Sequence, residues 1–429
     1  MRLPGRVAAA IEVLEAVLTR HQPASEALRD WGKSHRFAGS GDRHAIGTLV
    51  YDALRHKNSA AFRSGSDQPR GLVLGTLRSV WNMSVDDIAA IVNEQHGPGA
   101  LTSAESSQLN SEQVSTLPHI AGDFPEWLAP SLTRVFAEKL VAEMQALADR
   151  APIDLRVNTL KATREQVLKA LARFYPVEGP LSPWALRIAA PPHDSRHISV
   201  EAEPAHGLGW FEVQDAASQM AALLSNVTPG ETVADICAGA GGKSLALAAM
   251  LNNTGKLVAH DVDRRRLRPI FERITRAGVN CADVLAAEDG SNLEHLGGFD
   301  CVFIDAPCTG TGSWRRKPDA KWKLKPATLE QRQKDQRDVL KRGAALLKPG
   351  GRLVYATCSV LSEENTDQVN NFLSANPLLK LIPYTEQWRA VSTAAPPASA
   401  DGRTDTLLMT PFSHGTDGFF VAVMVKSPT

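Results

Sequence analysis

Asp235-Ile-Cys-Ala-Gly-Ala-Gly-Gly-Lys243 joins an apolar run at Thr232–Ile236, which reads as a strand, to a helical stretch at Lys243–Leu251. Glycines at such a junction let the backbone turn tightly and approach a ligand at the carboxyl edge of a parallel sheet. The spacing is not G-x-x-x-x-G-K-[ST]. Gly239 and Gly242 stand too close together for a phosphate loop, which disfavours ATP. Asp261 ends the next strand candidate, Lys256–Asp261, where a carboxylate can accept both hydroxyls of a ribose. Turn and carboxylate together point to an adenosine-containing cofactor.

Working outward, the chain keeps alternating. Cys301–Asp305 and Arg352–Thr357 read as further strands, Arg264–Ala277 and Leu329–Leu347 as helices, and the tail Gly418–Val425 as one more strand. This predicts a parallel sheet covered on both faces, an α/β core over 206–429. Residues 391–406, rich in Pro, Ala and Ser, read as a surface loop. Upstream, 141–205 reads as a small α+β module, with a strand at Asp154–Val157 and a helix at Arg164–Ala172. Residues 1–140 read as a helical domain. Val7, Ala10, Leu14 and Val17 recur at helical spacing, as do Ile46, Leu49, Val50 and Leu54. Ser40 and Asp42 stand where a cap belongs, and Ser84 to Asp87 is an S-x-x-D box. The polar stretches 61–70 and 100–118 read as loops, and no internal repeat is evident.

Lys plus Arg and Asp plus Glu both number 47, so the net charge is zero. That argues against a chain that coats nucleic acid with its whole surface, but allows a local basic track. Five cysteines without a C-x-x-C pair disfavour a zinc site or a disulfide framework, and reduced thiols fit the cytoplasm. Glu12 and Glu15 interrupt the first apolar stretch, unlike a signal peptide, and no apolar run is long enough for a membrane span.

Two cysteines end strands: Cys308 in Phe303-Ile-Asp-Ala-Pro-Cys308 and Cys358 in Tyr355-Ala-Thr-Cys-Ser359. In a doubly wound sheet both would face the crevice that holds the glycine turn. Cys237, Cys281 and Cys301 read as small buried hydrophobes. A thiolate at the crevice suits covalent catalysis on a pyrimidine. Adding to carbon 6 of cytosine makes carbon 5 nucleophilic toward an electrophilic methyl group. Asp305, three residues before Cys308, can relieve the electron density this builds at nitrogen 3. Residues 314–342 carry eleven basic side chains against four acidic ones. Within them Trp314, Arg315, Arg316, Lys317, Lys321 and Trp322 interleave cations with aromatic faces, a pattern that suits looped or single-stranded RNA.

These motifs resemble the Sun-type (Nol/Nop/Sun) RNA cytosine-5 methyltransferases, and among them the bacterial ribosomal RNA branch called RsmB. Asp235–Ser244 looks like the cofactor motif, Asp305-Ala-Pro-Cys308 like the base-binding motif, and Ala356-Thr-Cys-Ser359 with Glu363-Glu-Asn365 like the nucleophile motif. Arg316-Lys-Pro-Asp-Ala-Lys-Trp322, Leu155-Arg-Val-Asn158, Val213-Gln-Asp-Ala216 and His414-Gly-Thr-Asp-Gly-Phe-Phe420 are further markers. Ala240 departs from the proline usual in the cofactor motif, and the stretch 56–70 matches the helical domain weakly.

The resemblance implies a Rossmann-like core for S-adenosylmethionine (SAM), an RNA-recognition-like module and a NusB-like N-terminal domain. It puts Cys358 in the role of nucleophile and Cys308 in product release, with Asp305 and Lys243 beside them. SAM contacts would fall on Cys237, Ala238, Gly239, Ala240, Gly241, Gly242, Lys243, Asp261, Asp305 and Asp289, with Asp283 a rival for the last. The implied partner is ribosomal RNA of the small subunit, met by a cytoplasmic monomer without metal. Two other readings stand beside this one. A DNA cytosine-5 methyltransferase would use Cys308 as nucleophile, and a non-catalytic assembly or antitermination factor would keep the core as a vestige. Amino-group methylation is disfavoured, because Asp-Ala-Pro-Cys stands where Asn/Asp-Pro-Pro-Tyr would be needed.

Overall fold

Apolar side chains at helical spacing order the first part of the chain. The computed structural model describes residues 1–190, 192, 198–285, 292–296 and 298–428. In it Val7, Ala10, Leu14 and Val17 form a buried stripe on the helix Leu3–Thr19. They share a core with Ile46, Leu49, Val50 and Leu54 of the helix Ser40–Arg55 and with Leu74 and Leu77 of Pro69–Ser79. Ser84 caps Val85–Asn93 by accepting from the Asp87 amide at 3.1 Å. Ser40 is instead the first residue of its helix, whose N-cap is Gly39. The expected loops are shorter than the sequence suggested. The stretch 61–70 is framed by the helices Lys57–Ser64 and Pro69–Ser79, and 100–118 contains the helix Ser103–Asn110. There Thr102 and Glu105 cap each other's backbone, and Arg70 donates to Glu105 at 2.7 Å. A reciprocal cap and an ion pair outweigh the weak helix propensity of serine.

Past residue 120 the chain changes partner. Leu132, Phe136, Leu140, Met144 and Leu147, on the helices Ala129–Phe136 and Leu140–Ala148, are buried in the core of the large sheet described below. The stretch 1–140 is therefore packed in two parts. Next come β1 (Ile153–Val157), β2 (Val177–Glu178), β3 (Ala185–Ile188) and β4 (Phe211–Val213), an antiparallel sheet in the order β2-β3-β1-β4. The helix Arg164–Ala170 covers it through Val167. Because Leu155 pairs with Val213, this module closes at 213, beyond the boundary expected at 205.

The remaining strands are β5 (Thr232–Asp235), β6 (Lys256–His260), β7 (Ala282–Leu285), β8 (Phe299–Asp305), β9 (Leu347–Thr357), β10 (Leu379–Ile382), β11 (Leu407–Met409) and β12 (Phe419–Lys426). They order as β10-β12-β9-β8-β5-β6-β7, with β11 on β12; β5 to β9 are parallel and β12 runs antiparallel to β9. Alternate residues feed two cores. Ala234, Val302, Ile304, Leu353 and Tyr355 face one; Val233, Cys301, Phe303, Val354 and Ala356 face the other. The helix Pro326–Leu346 lies on the first side, Ala216–Leu223 and Gly242–Met250 on the second. Cover on both faces explains why these strands read as continuous apolar runs.

This is a Rossmann-like α/β core. Its order reverses at β5, between β6 and β8, which opens a crevice at the carboxyl ends of these strands. The expected loop at 391–406 is irregular after Val391 but tied down: the Tyr384 hydroxyl donates to the Pro397 carbonyl at 2.7 Å and the Trp388 indole to Ala394 at 2.9 Å. Among the described residues no helix is long and apolar enough to cross a membrane.

Candidate active site

The glycine turn leaves β5 at the order reversal. Gly241 has φ +86° and is the N-cap of Gly242–Met250; a Cβ there would lie 2.5 Å from Ile270. Glycine is thus required both by the dihedral and by the packing. Two arginines hold the turn by its carbonyls. Arg156 donates to Gly242 at 2.6 Å and also to Gln214, and Arg273 donates to Ala240 at 2.8 Å. Burial pulls the Arg156 guanidinium down to about 10. Asp261, at the end of β6 and 1% exposed, accepts from the Gly239 amide at 3.0 Å and the Asp263 amide at 2.8 Å, and Arg266 lies 3.3 Å away. Cys237, Ala238, Gly239, Ala240, Gly241, Gly242, Lys243 and Asp261 therefore form one lip of the crevice.

The other lip belongs to β8 and β9. Asp305 pairs with Ala356 in the sheet, so Cys308 and Cys358 emerge side by side with their sulfurs 3.3 Å apart. Lys243 reaches across from the glycine turn to donate to Asp305 at 2.9 Å, with its ammonium 4.7 Å from the Phe419 ring. A hydrogen bond from the Cys308 thiol holds Cys358 below the usual thiol range, helped by the Lys243 charge and opposed by burial and Asp305. The same hydrogen bond, with burial, pushes Cys308 well up. Asp235 is fully buried against the Ser244 hydroxyl at 2.7 Å, and burial raises it to about 7.

The thiol loops are braced from below. Glu364 accepts from the Thr309 amide at 2.8 Å, from the Thr309 hydroxyl and from Gln336 at 3.0 Å, while its own carbonyl receives the Tyr355 hydroxyl at 2.6 Å. Asn365 accepts from Thr357 at 2.5 Å and donates to the Ser359 carbonyl at 2.9 Å. Gly312 and Gly418 touch backbone to backbone, and a Cβ on Gly312 would lie 2.0 Å from the Gly418 oxygen. Acidic and amide groups next to the Thr-Cys-Ser segment thus fix both thiols at once.

A family model described as 16S rRNA methyltransferase RsmB/F matches residues 222–425, and one for the ferredoxin-like domain of RsmF/B-like methyltransferases matches 124–193. A ribosomal RNA small subunit methyltransferase B from Vibrio vulnificus is 29% identical over 98% of this chain and 99% of its own. The protein of that name from Shewanella oneidensis is 34% identical over 71% of this chain and 67% of its own. The chain belongs to the RsmB/F methyltransferase family. The crystal structure of PH0851 has the same fold, with a TM-score of 0.73 at 25% identity over 99% of both chains.

In this RsmB/F methyltransferase the segment expected to meet RNA needs correction. Trp314, Arg315 and Lys321 are buried. Lys321 donates to the Arg55 carbonyl at 2.8 Å and the Trp322 indole to the Leu54 carbonyl at 2.6 Å, capping the end of the helix Ser40–Arg55. Burial lowers Lys321 to about 8. Arg315 and Arg316 bind the carboxylates of Asp417 and Asp215. Burial and the Asp417 charge raise Asp215 to about 6, against the pull of the two arginines. The segment is largely a joint between the helical domain and the core, and a buried indole has no face to offer a base. Arg316 and Lys317 remain at the surface.

Asp289 lies outside the described residues, and its rival Asp283 is exposed on β7, 3.4 Å from Lys256. Single-residue reading missed Arg156, Arg273, Glu364 and Asp417. For all but Arg273 the signal was present, since they sit inside the marker motifs. Among the described residues no three His, Cys, Asp or Glu side chains group as metal ligands.

Proposed function

We propose that this methyltransferase transfers the methyl group of SAM to carbon 5 of a cytosine in small-subunit ribosomal RNA, through a covalent bond between Cys358 and the base. The observation that carries this is the pair of thiols 3.3 Å apart beside the Lys243–Asp305 ion pair. The lip residues fit the cofactor: a buried carboxylate at Asp261 for the ribose and a turn that tolerates no side chain at Gly241. Cys237 to Lys243, Asp261 and Asp305 would hold SAM, which would supply an electrophilic methyl group there.

The Cys358 thiolate adds to carbon 6 while the Lys243–Asp305 pair provides the hydrogen bond that relieves charge at nitrogen 3. Carbon 5 takes the methyl group and loses its proton to a base. Expulsion of the Cys358 sulfur then restores the ring. Cys308, in contact with Cys358, assists that elimination. The relatives named above support ribosomal RNA as the substrate class. The same reading makes residues 3–110 a NusB-like RNA-binding unit, the sheet β1–β4 an RNA-recognition module, and the whole a cytoplasmic monomer.

A denaturing gel of each cysteine variant incubated with substrate RNA and SAM tests the assignment. Cys358→Ala can form no adduct and loses methylation. Cys308→Ala still adds and transfers, then stalls, because losing a group that serves elimination raises only that barrier. A slow protein–RNA band should therefore appear for Cys308→Ala alone. The reverse pattern makes Cys308 the nucleophile, as in the DNA enzymes. No band in either, with methylation intact in both, removes these thiols from the chemistry.

A further inference from the structure

Two half-buried thiols at 3.3 Å are close enough to do more than serve a base. A disulfide needs sulfurs about 2.05 Å apart, so a closure of little more than one ångström suffices. Both residues stand just beyond strand ends, where backbone can give: Cys308 in the irregular stretch after β8, Cys358 one residue past β9. We infer that Cys308 and Cys358 are a peroxide-reactive pair that closes into a reversible intramolecular disulfide, switching the enzyme off and sparing its nucleophile from irreversible oxidation.

The steps balance. The Cys358 thiolate attacks one oxygen of hydrogen peroxide, the O–O bond breaks, and Cys358 becomes a sulfenic acid as hydroxide leaves and takes up a proton. The Cys308 sulfur then attacks the Cys358 sulfur. The sulfenic oxygen leaves as water with the Cys308 proton, and the disulfide is formed. Two thiols have given up two electrons and the peroxide has become two waters. A dithiol reverses the change by exchange, itself becoming a disulfide. Attack on the base needs a free Cys358 sulfur, so the closed pair is inactive. A neighbouring thiol within contact intercepts the sulfenic acid before a second peroxide oxidises it further. The glycine turn, Asp261 and the remaining cysteines are untouched, so the oxidised chain keeps its cofactor site.

The test is peroxide titration of the full chain, read by thiol counting and peptide mapping under non-reducing conditions. Two of the five thiols should disappear together, in a peptide pair that joins Cys308 to Cys358. SAM affinity should hold within about twofold, while methyl transfer to RNA falls more than roughly tenfold and returns on adding dithiothreitol. In Cys308→Ser, dimedone should label Cys358 after peroxide, since no partner resolves the sulfenic acid. Sulfinic acid on Cys358 with Cys308 still titratable in the wild type would overturn the proposal. So would a linkage through Cys237, Cys281 or Cys301, or five intact thiols. Because the linked peptide is read without activity, this outcome is separable from failure of the methylation reading.

Discussion

At the scale of single residues, two carboxylates at the glycine turn do different work. Asp261 accepts from two backbone amides and has Arg266 at its edge, so it shapes the turn, and under the proposed function it is also the acceptor for the ribose hydroxyls. Removing it in Asp261→Ala leaves ribose hydroxyls unpaired, a loss of about 1–3 kcal/mol in cofactor binding. Calorimetric titration should show SAM affinity falling roughly fivefold to a hundredfold, and unchanged affinity would place the ribose elsewhere. Asp235 is different, because burial lifts it from 3.8 to about 7. Between those values the folded chain keeps a proton that the unfolded chain has lost. This group's contribution to stability therefore falls as pH rises through that window. Asp235→Asn keeps the shape and the Ser244 bond with nothing to ionise. Its melting temperature relative to wild type should climb from about pH 4 to about pH 7 and level off above that. A difference that stays constant with pH would mean that Asp235 is not the group that titrates.

At the scale of elements, the joint at 315–323 is held by donors entering the open end of a helix. The last carbonyls of Ser40–Arg55 receive Trp322 and Lys321, while Asp319 accepts from the Ala24 amide at 3.2 Å. Trp322 also packs on the helical core. Truncation in Trp322→Ala should cost the joint roughly 2 kcal/mol, less than for a fully buried tryptophan. Hydrogen exchange should quicken across Ser40–Arg55 and Pro318–Lys323 while SAM affinity stays put. Unchanged exchange would mean the contact carries no stability. This joint also marks where the sequence stopped being legible. The core strands and both thiols were readable, because strand ends in a parallel sheet converge wherever the order reverses, and the spacing of Asp305 to Cys308 shows which residues protrude. Burial of Arg315 and Lys321 was not readable. A basic stretch next to an active site looks the same whether its partners are phosphates or carboxylates and carbonyls a hundred residues or more away, such as Asp215, Asp417 and Arg55. Helix Ser103–Asn110 was hidden for a related reason, since its anchor is Arg70.

At the scale of the whole molecule, zero net charge forces RNA attraction to be local. Among the described residues, one basic surface is a cleft of about 450 Å³ between the helical domain and the rest, lined by Arg43, Arg55, Arg150, Arg315 and Arg316. Most of that charge is already spent. Arg55 and Arg150 share Asp52, and Arg315 and Arg316 share Asp215 and Asp417. A paired cation releases few counterions when a phosphate arrives, so these residues should contribute little to salt dependence. Arg43, which lines the cleft, and Lys317, next in sequence to the lining residue Arg316, are exposed and are the residues predicted to meet phosphate. Each cation removed from a phosphate lowers the slope of log affinity against log salt by roughly one. The double variant Arg43→Ala with Lys317→Ala should therefore bind RNA more weakly with a slope reduced by about two, and melt like the wild type. Arg315→Ala should do the opposite. It leaves Asp417 and Asp215 with Arg316 as their remaining arginine, so the variant should melt below the wild type while the slope stays. Affinities measured over a range of salt, set beside melting curves, separate the two. A wild-type slope in the double variant would move the RNA off this cleft.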